Sequence, residues 1–302
     1  MRTISFSFRI GRTTVRTIIN ETCSAIWNEL VHKVMPMPDE RQWWEIANKF
    51  EDLWQFPNCI GAIDGKHVEI NAPPKSGSLF HNHMGYFSVV LLAVVDAENR
   101  FIAVDIGDLG SNSDGGIFSK SQFGKAFNEN RLKIPNGRTL PGMRPAYKMP
   151  LVLIGDEAFP SQVNLLRPFP GRKSMKLPER ESEFNYRLSR ARRIVENAFG
   201  ILCQRFRIYH RKIPLSPPST VLIVQASVVL HNFLTSPRES VKSIYRHLDV
   251  SPHLDRDTTG GRHAGLVDLP NIGNHPGAPA KRIRNIFSEF FISNAGYLPR
   301  PN

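Results

Sequence analysis

Three carboxylates stand in this chain at places where a folded protein has little structural use for one. Asp64 interrupts the apolar run GAIDGKHVEI, Asp156 ends the apolar run LVLIGD, and Glu196 lies in the periodic stretch 182–207, which begins SEFNYRLSRARRIVENAFG. An acid in a strand bound for the core costs free energy unless it is paired or bound to a metal. Three of them around one sheet would make an oxygen-ligand site for Mg²⁺ or Mn²⁺, the hard cations that carboxylates suit. Two such ions can activate the attacking oxygen and stabilise the leaving oxygen of an in-line phosphoryl displacement. A plainer reading of Glu196 is an ion pair with Arg192 or Arg193 at helical spacing. Of the other acids, Asp96, Asp105 and Asp108 sit in turn-like contexts and read as capping residues. Asp114 is the strongest further candidate, because its loop, GSNSDGG, follows a strand and opens a helix.

The substrate such a site would take is indicated by charge. Thirty-nine Lys and Arg against 27 Asp and Glu leave +12 over 302 residues, with a pI near 9.9. That balance favours a polyanion, nucleic acid above all, through phosphate neutralisation. The helix around Glu196 is the most basic part: from Glu183 to Lys212 two acids face eight Arg and Lys. Its face with Arg187, Arg190, Arg192 and Arg193 is therefore expected to meet DNA, as are Arg12 and Arg16 near the N-terminus. The runs Val89–Val95 and Val221–Leu230 are too short to span a bilayer, so no membrane partner is expected. The N-terminus lacks a signal-peptide core, and Cys23, Cys59 and Cys203 form no CxxC pair, which fits a reducing compartment.

Elements able to carry these acids follow from periodicity. Phe184, Leu188, Ala191, Val195, Ala198, Leu202 and Phe206 recur at steps of three or four and define the buried stripe of the basic helix. Stretches 59–70, 87–99 and 100–107 read as a meander of three strands, and 151–159 as a buried strand. Helices are expected over 8–30, 39–54, 115–130, 219–234 and 280–293. Gly11, followed by Arg12, Thr13 and Thr14, could open the second helix of a helix-turn-helix or a plain packing helix. Strands then helices on both sides of a mixed sheet give an α/β sandwich order.

GAIDGKHVEI, the stretch from Phe87 to SNSDGGIF, LIGDEAFP, and FNYRLSRARRIVENAFGILCQRFRI followed by VVLHNF together resemble the DDE endonuclease domain of the PIF/Harbinger transposases and their domesticated nuclease relatives. The resemblance runs from about Phe56 to Leu234. It implies a ribonuclease H-like α/β fold and a divalent-metal nuclease, with a catalytic triad on Asp64, Asp156 and Glu196 and Asp114 as a further metal ligand. It also implies a Myb/SANT-like DNA-binding partner protein and a nuclear location. The corresponding organisation is a helical segment at 1–55 that resembles part of a helix-turn-helix, an endonuclease domain at 56–235, a linker at 236–279 and a C-terminal helix and tail at 280–302. Three other readings compete: a DNA-binding scaffold that keeps the fold without catalysis, a nuclease or zinc site of another class at His81, Asn82 and His83, and an RNA-binding structural protein, which rests on charge alone. Strand geometry speaks against the zinc site, since Asn82 would point opposite to its neighbours.

Overall fold

A computed structural model describes residues 2–143, 148–171, 177–236, 266–268 and 277–297. The first three apolar runs form an antiparallel meander, β1 (Cys59–Glu69), β2 (Ser88–Val95) and β3 (Phe101–Leu109). All of β2 is buried, as its unbroken run SVVLLAVV requires, because a strand covered on both faces has no polar side to show. The β2–β3 turn is built by Asp96, whose carboxylate accepts the backbone N–H groups of Glu98 and Arg100 and the Arg100 Nε–H. Two short strands, β4 (Arg138–Thr139) and β5 (Lys148–Met149), pair apart from this sheet. β6 (Val152–Ile154) then runs parallel to β1, and β7 (Leu165–Leu166) parallel to β6. The order is β3-β2-β1-β6-β7.

One part of the expected linker is a strand. Leu266–Asp268 forms β8, antiparallel to β1 at Lys66–Val68. The same edge of β1 carries β6 at Cys59–Ala62, so Asp64 lies between two partners. Residues 237–265 and 269–276 of that linker lie outside the described residues.

The helix expected at 115–130 is two helices, α4 (Asp114–Lys120) and α5 (Gln122–Asn128). Ser121 breaks it: its backbone is extended, and its hydroxyl accepts the Gly124 N–H at 2.9 Å to cap α5. The N-terminal segment contains α1 (Arg2–Phe8), α2 (Arg12–Val34) and α3 (Glu40–Trp54); the basic helix is α6 (Glu179–Arg205), followed by α7 (Pro217–Thr235) and α8 (Ala278–Ile292). α3 starts on a capping box between Asp39 and Gln42. It sends Trp43, Ile46 and Phe50 into the same core as the sheet and as Phe287, Phe290 and Phe291 of α8. Phe56 stacks on Phe287 there and meets Phe184 edge-on and Phe291 at a tilt. α3 and α8 thus share one core with the sheet.

α2 lies along α7, tied by Asn20 to Ser219 and by Asn232 to the Val34 carbonyl. Arg12 and Arg16 stay exposed on it. Among the described residues α7 is the one helix long and apolar enough to cross a bilayer, and half of that apolar stretch is buried here. Asn232 binds both the N–H and the carbonyl of Phe101 at 2.8 and 2.7 Å, which makes α7 a core helix of this fold.

His231 on α7 is fully buried beside the Asn99 carbonyl, 2.7 Å from Nε2. Burial lowers its pKa to about 4, with Arg205 adding to the effect and the Asn99 bond opposing it. Its folded pKa lies below the unfolded value, so the unfolded chain binds the proton more tightly. The stability it contributes is present above about pH 6.5 and is lost as pH falls towards 4. Melting curves between pH 7 and 4 are expected to show this loss, and His231→Gln to flatten it.

Candidate active site

Register brings two of the acids together. Ala62 of β1 sits beside Ile154 of β6, and two residues further along each parallel segment come Asp64 and Asp156, on the same face because side chains alternate with period two. The third acid of the cluster is Asp114, the first residue of α4. Gly115 permits its approach: a Cβ there would come within 2.7 Å of the Ala158 carbonyl. No larger residue could let α4 dock so closely on the loop after β6. Carboxylate oxygens of Asp64, Asp114 and Asp156 lie within 4.8 Å of one another.

The cluster is poor in protein partners. Asp156 accepts the Ala158 N–H at 2.9 Å. Asp64 Oδ2 and both oxygens of Asp114 are buried without a hydrogen bond. Burial raises the Asp64 pKa to about 6; Lys66 and Arg192 oppose the rise and Asp156 and Glu196 add to it. Asp114 is raised well above the carboxylate range, first by burial and then by Asp64 and Asp156. Burial also raises Asp156, against its bond to Ala158. Hard oxygen donors, crowded and unsatisfied, are what a small divalent cation neutralises, so the residues present fit Mg²⁺ or Mn²⁺.

Glu196 stands outside this group of three. It is 45% exposed and pairs with Arg192 at 3.0 Å, one helical turn back, which is the plainer of the two roles its spacing allows. Arg192 continues to Asp64, with Nη1 3.6 Å from Oδ2. The four acids are therefore linked, but Glu196 joins through a cation. Burial lowers the Arg192 pKa, yet Asp64, Glu196, Asp156 and Asp114 outweigh it and hold the guanidinium charged. One turn beyond Glu196 the space beside Gly200 is open.

Sequence reasoning missed Lys66. It follows Asp64 by two residues on β1 and so shares its face; its Nζ lies 5.9 Å from the Phe199 ring centre on α6, and its charge acts on all three clustered acids. Strand alternation through DGK was the signal.

Among the arginines assigned to DNA, Arg187 is corrected. Its side chain is 1% exposed, paired with Glu183 at 2.7 Å and set over the Phe291 ring. The buried stripe of α6 is wide enough to take it in, and a guanidinium closed off from solvent cannot reach a phosphate. Arg190 hydrogen-bonds Gln55, Arg192 borders the acids, and Arg193 is exposed. In the loop before β2, Asn82 is buried as a turn former, accepting the Met84 and Tyr86 N–H groups, with His81 and His83 exposed on either side. Among the described residues the acid cluster is the one group of three or more metal-ligating side chains close enough to share an ion.

A strand meander extended by parallel strands, with clustered acids at the junction, is an α/β arrangement consistent with the fold of a DDE nuclease domain. The DDE superfamily endonuclease family model matches residues 63–232, a span that holds Asp64, Asp114, Asp156 and Glu196. The chain belongs to that family, within the Harbinger-derived group its motifs resemble. It is 33% identical over 193 residues to "Protein ALP1-like" of Arabidopsis thaliana, covering 63% of this chain and 46% of the relative. It is 26% identical over 199 residues to "Putative nuclease HARBI1" of Bos taurus, covering 64% and 51%. A longer match, 25% over 270 residues, covers 88% of this chain and 63% of the Arabidopsis thaliana protein "Antagonist of like heterochromatin protein 1". The chain spans about half the length of the first two relatives. No solved structure matches it.

Proposed function

We propose that this chain is a divalent-metal-dependent DNA endonuclease of transposase origin, built on a ribonuclease H-like sheet. The observation that carries the reading is the cluster of Asp64, Asp114 and Asp156, with oxygens within 4.8 Å and three of them buried without a hydrogen bond. The strand order, a meander continued from its first strand by parallel strands, supports the fold assignment. In this reading Asp64, Asp156 and Glu196 are the acids of the reaction, and Asp114 shares the ion with the two aspartates. Mg²⁺ or Mn²⁺, when bound, supplies activation of the attacking water and stabilisation of the leaving oxygen. The chain's own cations, Lys66 and Arg192, hold the phosphodiester against the acids, while Arg190 and Arg193 flank it on α6 and Arg12 and Arg16 extend the contact. DNA is the substrate, a Myb/SANT-like protein the recognition partner, and the nucleus the location.

Supercoiled plasmid incubated with the purified protein is expected to be nicked in Mg²⁺ or Mn²⁺ and left intact in EDTA. Equal relaxation in EDTA overturns the metal mechanism. Charge reversal at Arg190 and Arg193 is expected to weaken DNA binding and to flatten the log–log salt dependence by about 0.9 for each phosphate no longer neutralised. Unchanged binding would place the main DNA interface at Arg12 and Arg16.

One relative favours a second reading. The match over 270 residues to a protein named as an antagonist of a heterochromatin protein fits a chromatin-associated protein that keeps the fold and binds DNA without cutting. The same plasmid assay separates the two, since binding without nicking in either metal supports the second.

A further inference from the structure

β1 carries a different chemistry on each of its faces. Asp64 and Lys66 point to one side of the sheet, and strand alternation turns His67 and Glu69 to the other. His67 is fully buried there, with His83 and Tyr86 of the loop before β2 against it. Its Nδ1 lies 2.8 Å from the Ser88 hydroxyl, while its Nε2 is buried without a hydrogen bond. Ser88 is held in turn by Asn82. Asn82 Oδ1 accepts the Met84 and Tyr86 N–H groups at 3.0 and 3.2 Å, so its NH₂ is the group that reaches Ser88 Oγ, at 3.1 Å. Ser88 can give its proton to His67 or take one from it, and both tautomers leave Nε2 unsatisfied, as an N–H with no acceptor or as a lone pair with no donor. Burial, followed by the charges of His83 and Lys66, lowers the His67 pKa to about 3, so the ring is neutral at neutral pH. A neutral imidazole oriented through one nitrogen and open at the other has the arrangement of a metal-ligating histidine.

A second imidazole stands beside it. The ring centres of His67 and His83 are 5.9 Å apart, with the planes at 47°. Zn–N bonds of about 2.0–2.1 Å place two imidazoles that share one ion roughly 5–6 Å apart, centre to centre. His83 is exposed, so an ion can arrive from solvent. Imidazole nitrogen suits zinc and its transition-metal neighbours, whereas Mg²⁺ takes oxygen.

We propose that His67 Nε2 and His83 form a second metal site, for a transition-metal ion of the Zn²⁺ class, on the sheet face opposite the acid cluster. Water fills the remaining positions, or Glu69 does after releasing Lys212, to which it is now paired at 3.4 Å. The ion pins the loop before β2 to the sheet. That loop backs the segment leading to Asp114, since a Cβ at Gly110 would come within 2.7 Å of the Phe80 carbonyl.

The test is calorimetric titration with Zn²⁺ in the Asp114→Asn background, where the acid cluster is weakened, together with X-ray absorption at the zinc edge. One Zn²⁺ is expected to bind, with scattering from two imidazoles. His83→Ala, an exposed position that the fold does not need, is expected to weaken binding at least about tenfold and to abolish the rise in melting temperature that Zn²⁺ gives. His81→Ala, the exposed neighbour, is expected to change affinity less than about threefold. Ser88→Ala, which frees the His67 ring, is expected to weaken binding by about tenfold. No Zn²⁺ bound in the Asp114→Asn protein overturns the proposal, as does equal affinity in His83→Ala. An equal loss in His81→Ala, or a zinc edge with fewer than two imidazoles, overturns the pairing of His67 with His83.

Discussion

Asp114→Asn is expected to abolish cutting while making the metal-free protein more stable. Asp114 is fully buried, with both carboxylate oxygens lacking a hydrogen bond, and its pKa is driven upward by burial and by Asp64 and Asp156. A folded pKa above the unfolded one means that the fold favours the protonated acid. Its stabilising contribution is complete at acid pH and is lost as pH rises through the folded value, above which the charged cluster strains the fold. An asparagine keeps the shape, removes one charge, and offers an NH₂ that can donate to Asp64 or Asp156. Melting temperature without metal is therefore expected to rise by roughly a few degrees, and the rise to shrink as pH falls below about 6, where Asp64 also takes up a proton. Plasmid nicking in Mg²⁺ is expected to fall by at least about 10²-fold, because a ligand of the ion that stabilises developing charge is gone. Wild-type nicking by a variant that is also no more stable would remove Asp114 from the site.

Arg187→Ala is expected to be the most damaging of the arginine substitutions, and through folding rather than DNA. Its guanidinium is enclosed against Glu183 and the Phe291 ring, and Nη2 reaches the Gly296 carbonyl at 3.4 Å. Truncation leaves Glu183 as a buried acid and opens a space between α6 and α8. Breaking one side of a buried pair typically costs about 3–5 kcal/mol. Chemical denaturation should show that loss, whereas Arg193→Glu, on an exposed position of the same helix, should stay within about 0.5 kcal/mol of wild type. A stable Arg187→Ala protein with weakened DNA binding would return Arg187 to the nucleic-acid surface.

These outcomes divide along what periodicity can convey. The seven-residue stripe from Phe184 to Phe206, the meander and the buried run before Asp156 could be read in one dimension, because apolar spacing reports which side of a helix or strand faces a core. Asp64 and Asp156 were legible for a related reason: each is an acid in an apolar segment or at its end, where burial makes a charge costly, whereas Asp114 was legible from its loop, which follows a strand and opens a helix. Spacing carries no information about which of several acids meet. Asp64 and Asp156 face each other through the parallel register of β1 and β6, and Asp114 arrives because Gly115 lets α4 close on the Ala158 carbonyl. Both facts depend on packing between segments far apart in the chain.

The same division explains the arginines. Composition established that α6 is strongly basic, and helical spacing allowed Glu196 to pair with Arg192. Only the packing of α8 against α6 turned Arg187 inward, and only the approach of β1 to α6 placed Arg192 between Glu196 and Asp64. The sequence by itself determined the long helices and the meander, the excess of positive charge and the short set of acids able to do chemistry, all of which are local properties. Tertiary structure alone decided which three acids share a point, which cation screens the fourth, and which basic side chains face solvent, because each of these depends on the distance between residues that the chain does not join.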